Sequence, residues 1–304
     1  MMFAMRLDFD VVDVFTDRPF VGNQLAVVHG AERLSTEQCL AIAREFNFSE
    51  TTFPASPSAA DRYATRIFTP GGEIPFAGHP TLGTAWVLRD RGLLSGGDVT
   101  QHCGAGDIRV RFVREPVELV ELSARPRDRV GPVPERLVAS LVEDLGLSPG
   151  DVVGPVWVGG CGLSFVHLPV AADAVARARV PARSLSSYDG LGAGARDPLE
   201  GVNVVEVTGS APRLTVHARV FVPGLSVPED PATGSAAVGL GVMLAAAGLL
   251  PDGGTFEITQ GVEMGRPSLL HGRVDAEAGT ATLCHVAGAV QPVATGQIAV
   301  PAPR

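Results

Sequence analysis

A chain of 304 residues with 45% apolar content is long enough to bury two cores of roughly 150 residues each, and its mean hydropathy of +0.22 excludes a disordered protein. A formal net charge of -9 and a pI near 5.3 leave no basic footprint for nucleic acid or an anionic membrane surface. The four cysteines, Cys39, Cys103, Cys161 and Cys284, are far apart and form no C-x-x-C pair, which excludes a zinc ribbon or a small disulfide scaffold and points to reduced thiols in the cytoplasm.

The N-terminal residues Met1 to Arg6 lack the charged and apolar regions of a secretory signal. Residues 7–15 alternate with period two and predict a strand; Thr16-Asp17-Arg18-Pro19 predicts a turn, and Leu25 to Val28 a second strand. Ser35 followed by Gln38 has the spacing of a capping box and predicts a helix from there to about Phe46. The Thr and Phe content of 47–53 favours a strand, which places Glu50 at a helix-to-strand junction between Phe48 and Phe53. A carboxylate in such apolar company is either a solvated strand residue or one that holds its proton more tightly than it would in water.

Next comes Arg66-Ile67-Phe68-Thr69-Pro70-Gly71, then Ile74-Pro75, then Gly78-His79-Pro80-Thr81 opening the apolar stretch Leu82 to Leu88. A polar turn near 95–98 and strands at 108–113 and 117–122 close the first half. Ala124 to Pro134, with three prolines and four charges, is the candidate linker. The second half begins with a helix from about Pro134 to Leu145. Strands at 156–158 and 164–168, a short helix at 173–179 and a Gly-rich loop at 190–195 follow. That loop lacks the preceding strand and following helix that a dinucleotide fingerprint requires. Strands at 202–207 and 214–222 lead to Glu229-Asp230, then Thr233-Gly234-Ser235 and the apolar run Ala236 to Leu250. Short strands at 256–260, 272–275, 281–290 and 298–300 finish the chain. The apolar run has 15 residues, short of the roughly 20 that span a membrane, so a helix enclosed by sheet is expected.

The two strand-turn-helix stretches repeat one another. With Arg66 placed on Arg219, an ungapped offset of 153 residues pairs Phe68 with Phe221, Pro70 with Pro223, Gly71 with Gly224, Ile74 with Val227 and Pro75 with Pro228. The spacing is half the chain and predicts two related halves. At each strand-to-helix turn the unbonded backbone N–H groups and the positive end of the helix dipole favour an anion. No phosphate loop, G-x-S-x-G elbow or H-E-x-x-H helix occurs, and of seven dispersed histidines only His79 sits in such a turn. Ser235 reads as a helix cap or anion contact rather than a nucleophile, since no base neighbours it in sequence.

N-F-S-E-T-T-F at 47–53, F-T-P-G-G-E-I-P-F-A-G-H-P-T-L-G-T-A at 68–85 and E-D-P-A-T-G-S-A at 229–236, with D-V-F-T-D-R-P-F-V-G-N-Q-L-A-V-V at 13–28, closely resemble the phenazine biosynthesis (PhzF-like) isomerase family. The resemblance covers nearly the whole chain. It implies the α+β diaminopimelate epimerase-like fold: two similar domains, each a rolled mixed sheet around a central helix, with the active site between them. The domains would be 1–125 and 133–284, with the segment from about 285 to 304 returning to the first.

The resemblance puts the catalytic Glu on Glu50 and proton-relay positions on His79 and Asp230. Substrate-binding positions fall on Gly78, Gly234 and Ser235. The reaction implied is a cofactor-independent and metal-free proton shift, with migration of a double bond, in a small, ring-shaped carboxylate. A carboxyl group that removes a proton from one carbon and returns it to the next has to serve as both base and acid. Family members are homodimers, which is carried over as an expectation; neither nucleic acid nor membrane is an expected partner. Epimerases of the same fold use a cysteine at the start of each central helix. Here those turns hold Ala77-Gly78-His79-Pro80 and Asp230-Pro231-Ala232-Thr233, which disfavours the two-thiol mechanism. The alternatives to an isomerase are a non-catalytic carboxylate-binding protein or an epimerase working without that thiol pair.

Overall fold

In the first half of the chain, period-two patterning gives β1 (Arg6–Val14) and β2 (Asn23–Val28). Ser35 starts α1 (Thr36–Phe46) through the reciprocal box the spacing predicts: the Gln38 amide donates to the Ser35 hydroxyl and the Ser35 amide donates to the Gln38 side chain. β3 (Glu50–Pro54), β4 (Arg62–Thr69) and β5 (Gly72–Ile74) precede helix α2 (Gly78–Asp90), and β6 (Asp98–Cys103), β7 (Gly106–Val113) and β8 (Leu119–Ala124) follow it. β6 begins inside the expected polar turn, because D-V-T-Q-H-C alternates too weakly in hydropathy to announce a strand.

The computed structural model describes residues 5–113, 117–223 and 227–302. The chain forms two units, one of the residues up to Leu122 together with those from Ala287 onward, the other Ser123–Val286. In the second unit the expected linker contains a strand, β9 (Asp128–Val130), which pairs antiparallel with β10 (Trp157–Gly160) after α3 (Glu135–Asp144). Buried Asp128 fixes this stretch by accepting from the Ser164 hydroxyl and from the amides of Arg196 and Asp197. Then come β11 (Ser164–Pro169), α4 (Ala172–Arg177), β12 (Leu199–Ser210), β13 (Arg213–Phe221), β14 (Glu229–Asp230), α5 (Gly234–Ala246), β15 (Gly254–Gln260), β16 (Ser268–Glu277) and β17 (Thr280–Gly288). β18 (Val290–Ala299) pairs antiparallel with β1 in the first unit.

The halves share one wiring. β1–β2, β3–β4, β4–β5 and β6–β7 are antiparallel, while β2–β3 and β4–β6 are parallel. In the second unit β10–β11, β12–β13, β13–β14 and β15–β16 are antiparallel, while β11–β12 and β13–β15 are parallel. The protein is thus an α+β fold of two similar mixed-sheet units.

The ungapped repeat needs one correction. Phe68 pairs with Glu73 across β4–β5, and Phe221 with Glu229 across β13–β14. The offset is therefore 153 residues up to Phe221 and 156 from Glu229 onward, so Ile74 corresponds to Asp230 rather than Val227, and Pro75 to Pro231 rather than Pro228. The three extra residues lie in 222–228; Gly224, expected to match Gly71, falls outside the described residues. Chemistry supports the revised register. Arg66 grips Glu73 through Nε and Nη2 at 2.8 and 2.6 Å, Arg219 grips Glu229 through the same atoms at 2.8 and 2.9 Å, and each guanidinium lies 4.9 Å from the centroid of its own Phe68 or Phe221 ring.

Each unit wraps its sheet around one helix. α2 buries ten of its 13 residues and α5 eleven of 13, too many for an amphipathic surface helix. Among the described residues no helix is long and apolar enough to cross a membrane. Small residues let α5 approach its sheet: a Cβ at Gly239 would lie 2.8 Å from the Gly159 carbonyl oxygen, and one at Gly159 would lie 2.6 Å from that of Gly239. At Gly241, by contrast, a Cβ would meet only side chains, at 3.4 Å.

Glycine costs a helix interior about 1 kcal/mol relative to alanine, whereas overpacking against backbone costs roughly 1–3 kcal/mol. Gly239→Ala is therefore expected to lower, and Gly241→Ala to preserve or raise, the stability measured by urea denaturation. Equal effects of the two would contradict this account of the helix–sheet contact.

Candidate active site

In the first unit the site residues sit at the head of β3 and the start of α2. The side chain of Glu50 is 15% exposed and that of His79 is 4% exposed, and Glu50 Oε2 lies 3.4 Å from His79 Nδ1. The apolar company expected from Phe48 and Phe53 is not what surrounds Glu50. Strand alternation turns Phe53 to the opposite face, where it packs on Phe68 and α1, and Phe48 stacks on Phe46. What lies beside Glu50 is the imidazole.

That imidazole has a defined tautomer. Its Nε2 is 3.2 Å from the Gln24 carbonyl oxygen, which only accepts, so Nε2 carries the hydrogen and donates. Nδ1 is left with a lone pair, towards which the Asn23 side-chain amide points at 3.3 Å. Burial pushes the His79 pKa down to about 3, against the opposing pull of the Gln24 hydrogen bond. His79 is a neutral imidazole throughout the physiological range.

Behind it, Thr81 donates its hydroxyl to the Ala77 carbonyl and accepts from Gln101, whose side-chain oxygen accepts from the fully buried Tyr63 hydroxyl. This chain pins the first turn of α2. The turn has no side-chain cap: Ala77 occupies the N-cap, and Pro80 has no N–H of its own. The Gly78 and His79 amides thus begin a buried helix with their positive ends turned outward along its axis.

The second unit treats α5 likewise by different means. Thr233 occupies the N-cap but makes no cap hydrogen bond; its hydroxyl donates to Asp230 Oδ2 at 2.7 Å. Gln260, 2% exposed, holds the turn from below. Its amide donates to the Asp230 carbonyl at 2.7 Å and to the Thr233 hydroxyl at 3.1 Å, and its oxygen accepts from the Thr233 amide at 3.3 Å. Among the described residues no side chain caps the start of α5, and Asp230 is fixed against that start. α1, whose N-cap makes both bonds of its box, shows what this protein builds when a helix end needs only stability.

The structure therefore groups Glu50, His79 and Gly78 in one unit and Asp230, Gly234 and Ser235 in the other. Pattern reading misses Asn23, Gln24, Thr233 and Gln260, which orient these groups. Asn23 and Gln24 lie in the quoted G-N-Q stretch, but Gln260 is an unremarked strand residue with no sequence signal. Among the described residues no group of three or more His, Cys, Asp or Glu is placed to hold a metal ion.

Comparison with known proteins shows the family and the fold. A family model described as phenazine biosynthesis-like protein matches residues 12–296. A trans-2,3-dihydro-3-hydroxyanthranilate isomerase of Pseudomonas chlororaphis is 34% identical over 282 residues, covering 91% of this chain and 94% of that protein. A PhzF-family phenazine biosynthesis protein of Bacillus anthracis superposes with a TM-score of 0.83 at 25% identity, covering 97% of this chain and all of the other. A hydroxyproline epimerase from Agrobacterium vitis, 13% identical with a TM-score of 0.62 over 100% and 95% of the chains, shares the fold.

A buried neutral histidine couples stability to acid. Unfolded His79 takes up a proton as pH falls through about 6.5, while the folded residue does not until about pH 3, so stability is full above 6.5 and is lost as pH falls below it. Between pH 7.5 and 5.5 the loss is expected to be about 1.4 kcal/mol from this group. His79→Gln should remove that share of the pH dependence in urea titrations. Nitrogen NMR should show an Nε2-protonated neutral ring at pH 5.5; a charged imidazolium there would overturn the assignment.

Proposed function

This chain belongs to the phenazine biosynthesis-like (PhzF) family and is an isomerase of that kind, and from this premise we propose that Glu50 moves a proton between neighbouring carbons of a small, cyclic carboxylate. The placement of Glu50 Oε2 within 3.4 Å of the neutral His79 Nδ1 carries this reading. In the proposed cycle the Glu50 carboxylate takes a proton from one carbon, the electron pair spreads into the adjacent unsaturated system, and the same carboxyl returns the proton to the carbon at its other end. Substrate and product have the same atoms, and the double bond has moved.

His79 supports both halves. Its Nδ1 has one lone pair: when Glu50 carries the proton, that lone pair offers it an acceptor, and when Glu50 is ionised, the Asn23 amide occupies it. The amides of Gly78, Gly234 and Ser235 are proposed to bind the substrate's carboxylate and developing negative charge, and Asp230 to hold a donor group of the ring. The substrate in the names of the curated relatives, trans-2,3-dihydro-3-hydroxyanthranilate, has this chemistry and is the first to try.

In deuterated water, turnover of that compound should place deuterium on the carbon that receives the proton. Glu50→Gln should cut the rate by about 100- to 10,000-fold with little change in KM. A variant that retains the rate would remove Glu50 from the mechanism. We propose further that the enzyme is a cytoplasmic homodimer, consistent with its four free thiols. Sedimentation equilibrium should then give twice the chain mass of 31.6 kDa, and a single-chain mass would contradict it.

A further inference from the structure

The reading of Asp230 as a substrate-holding group leaves open what keeps its two-residue strand in place. β14 pairs with β13 through Val220 opposite Asp230 and Phe221 opposite Glu229. Such a short strand has little register of its own. One side chain supplies what the ladder lacks. Arg219 closes a two-point fork on Glu229, and its remaining nitrogen, Nη1, donates to the carbonyls of Val175, Ala176 and Ala178 at 3.3, 3.2 and 2.6 Å. These carbonyls lie in and just beyond the last turn of α4, where a cation also meets the negative end of the helix. A second carboxylate, Glu263, lies 3.9 Å from Arg219 Nε and 3.0 Å from His217.

The first unit carries the same clamp and provides an internal control. Arg66 and Glu73 form the equivalent fork, but they are 36% and 38% exposed at the side chain, against 10% and 14% for Arg219 and Glu229. The residue after Glu73 is Ile74, whereas the residue after Glu229 is Asp230. One copy of the clamp is therefore a surface pair beside an apolar residue, and the other is a buried pair beside a site carboxylate. Exposed pairs contribute little, while a buried fork fixes geometry because five guanidinium donors and the carboxylate share one plane.

We propose that the Arg219–Glu229 pair is a positioning device for Asp230, holding that carboxylate in the orientation the isomerisation needs; the inference rests on the role proposed for Asp230 above. Neither residue touches substrate. Glu229 acts through the backbone it shares with Asp230, and Arg219 anchors Glu229 to α4.

The test uses the full chain and the exchange assay described above. Glu229→Gln keeps the shape of the side chain and loses its charge; it is expected to lower kcat about 10- to 100-fold with KM changed less than threefold. Glu73→Gln, the same change in the other clamp, is expected to leave kcat within twofold. Arg219→Lys retains the charge without the fork and should behave as Glu229→Gln does, which keeps the proposal testable where the glutamine variant folds poorly.

In an Asp230→Asn background, Glu229→Gln should cost nothing further. Loss of activity in Asp230→Asn with full activity in Glu229→Gln would overturn the positioning role alone. Full activity in Asp230→Asn would overturn the role of Asp230 and with it this inference. Equal kcat losses in Glu229→Gln and Glu73→Gln, each matched by an equal fall in melting temperature, would reduce both clamps to architecture.

Discussion

Everything in this structure depends on helix ends that are buried and yet not capped. A helix start has amides that its own carbonyls do not reach, and a protein normally meets that need with a side chain. Here α1 does so completely, while α2 begins at an alanine and α5 at a threonine whose hydroxyl is committed to Asp230. Starting a helix without a side-chain cap costs about 1 kcal/mol at each end. Enclosure of α2 and α5 offsets that cost, since nearly every residue of either helix faces sheet. The same enclosure explains the Gly-rich sequence of α5: a helix that lies against strand backbone has to present hydrogen atoms there rather than methyl groups.

Much of this was legible in the sequence because duplication writes the frame twice. The strand-turn-helix stretches declared themselves through Arg66 and Arg219, Phe68 and Phe221, and the turns before Gly78 and Gly234. The register after the turn was not legible. A gapless comparison matched Pro75 with Pro228 by residue type, whereas the ladder and the two arginine forks join Glu73 with Glu229. Proline resemblance is cheap in a chain with 24 of them; a two-point arginine–glutamate fork in the same relation to the same strand is not.

The surroundings of Glu50 were misjudged for a similar reason. Two phenylalanines close in sequence suggest an apolar pocket, but Phe53, three positions along β3, faces the opposite way, and Phe48 precedes the strand and stacks on Phe46. The group that in fact adjoins the carboxyl group, His79, comes from α2, 29 residues distant, and Asn23, whose amide points at the His79 Nδ1, comes from β2. Long-range pairing of this kind leaves no local pattern to read. The same holds for Gln260, which holds both Asp230 and Thr233 from a strand that follows α5.

The two copies of the frame have also ceased to carry equivalent chemistry. β2–β3 pairs Leu25 with Glu50, and the corresponding step of β11–β12 pairs Phe165 with Gly201. Gly201 has no room to acquire a carboxylate, since a Cβ there would lie 2.7 Å from the Phe221 carbonyl oxygen. Conversely, Asp230 stands where the first unit has Ile74. Each unit thus brings one carboxylate, at a position the other unit has closed. A mechanism that inverts a carbon centre needs two matched proton carriers, whereas a proton shift needs one carrier and a fixed hold on the substrate. In the cycle proposed above Glu50, 3.4 Å from the His79 imidazole, is the carrier. Asp230, with one oxygen accepting from Thr233, its carbonyl accepting from Gln260 and its neighbour Glu229 gripped by Arg219, is the hold proposed for the substrate. The duplicated fold supplies two enclosed helices without side-chain caps, and divergence at these two strand positions is the change that the proposed one-base isomerisation requires.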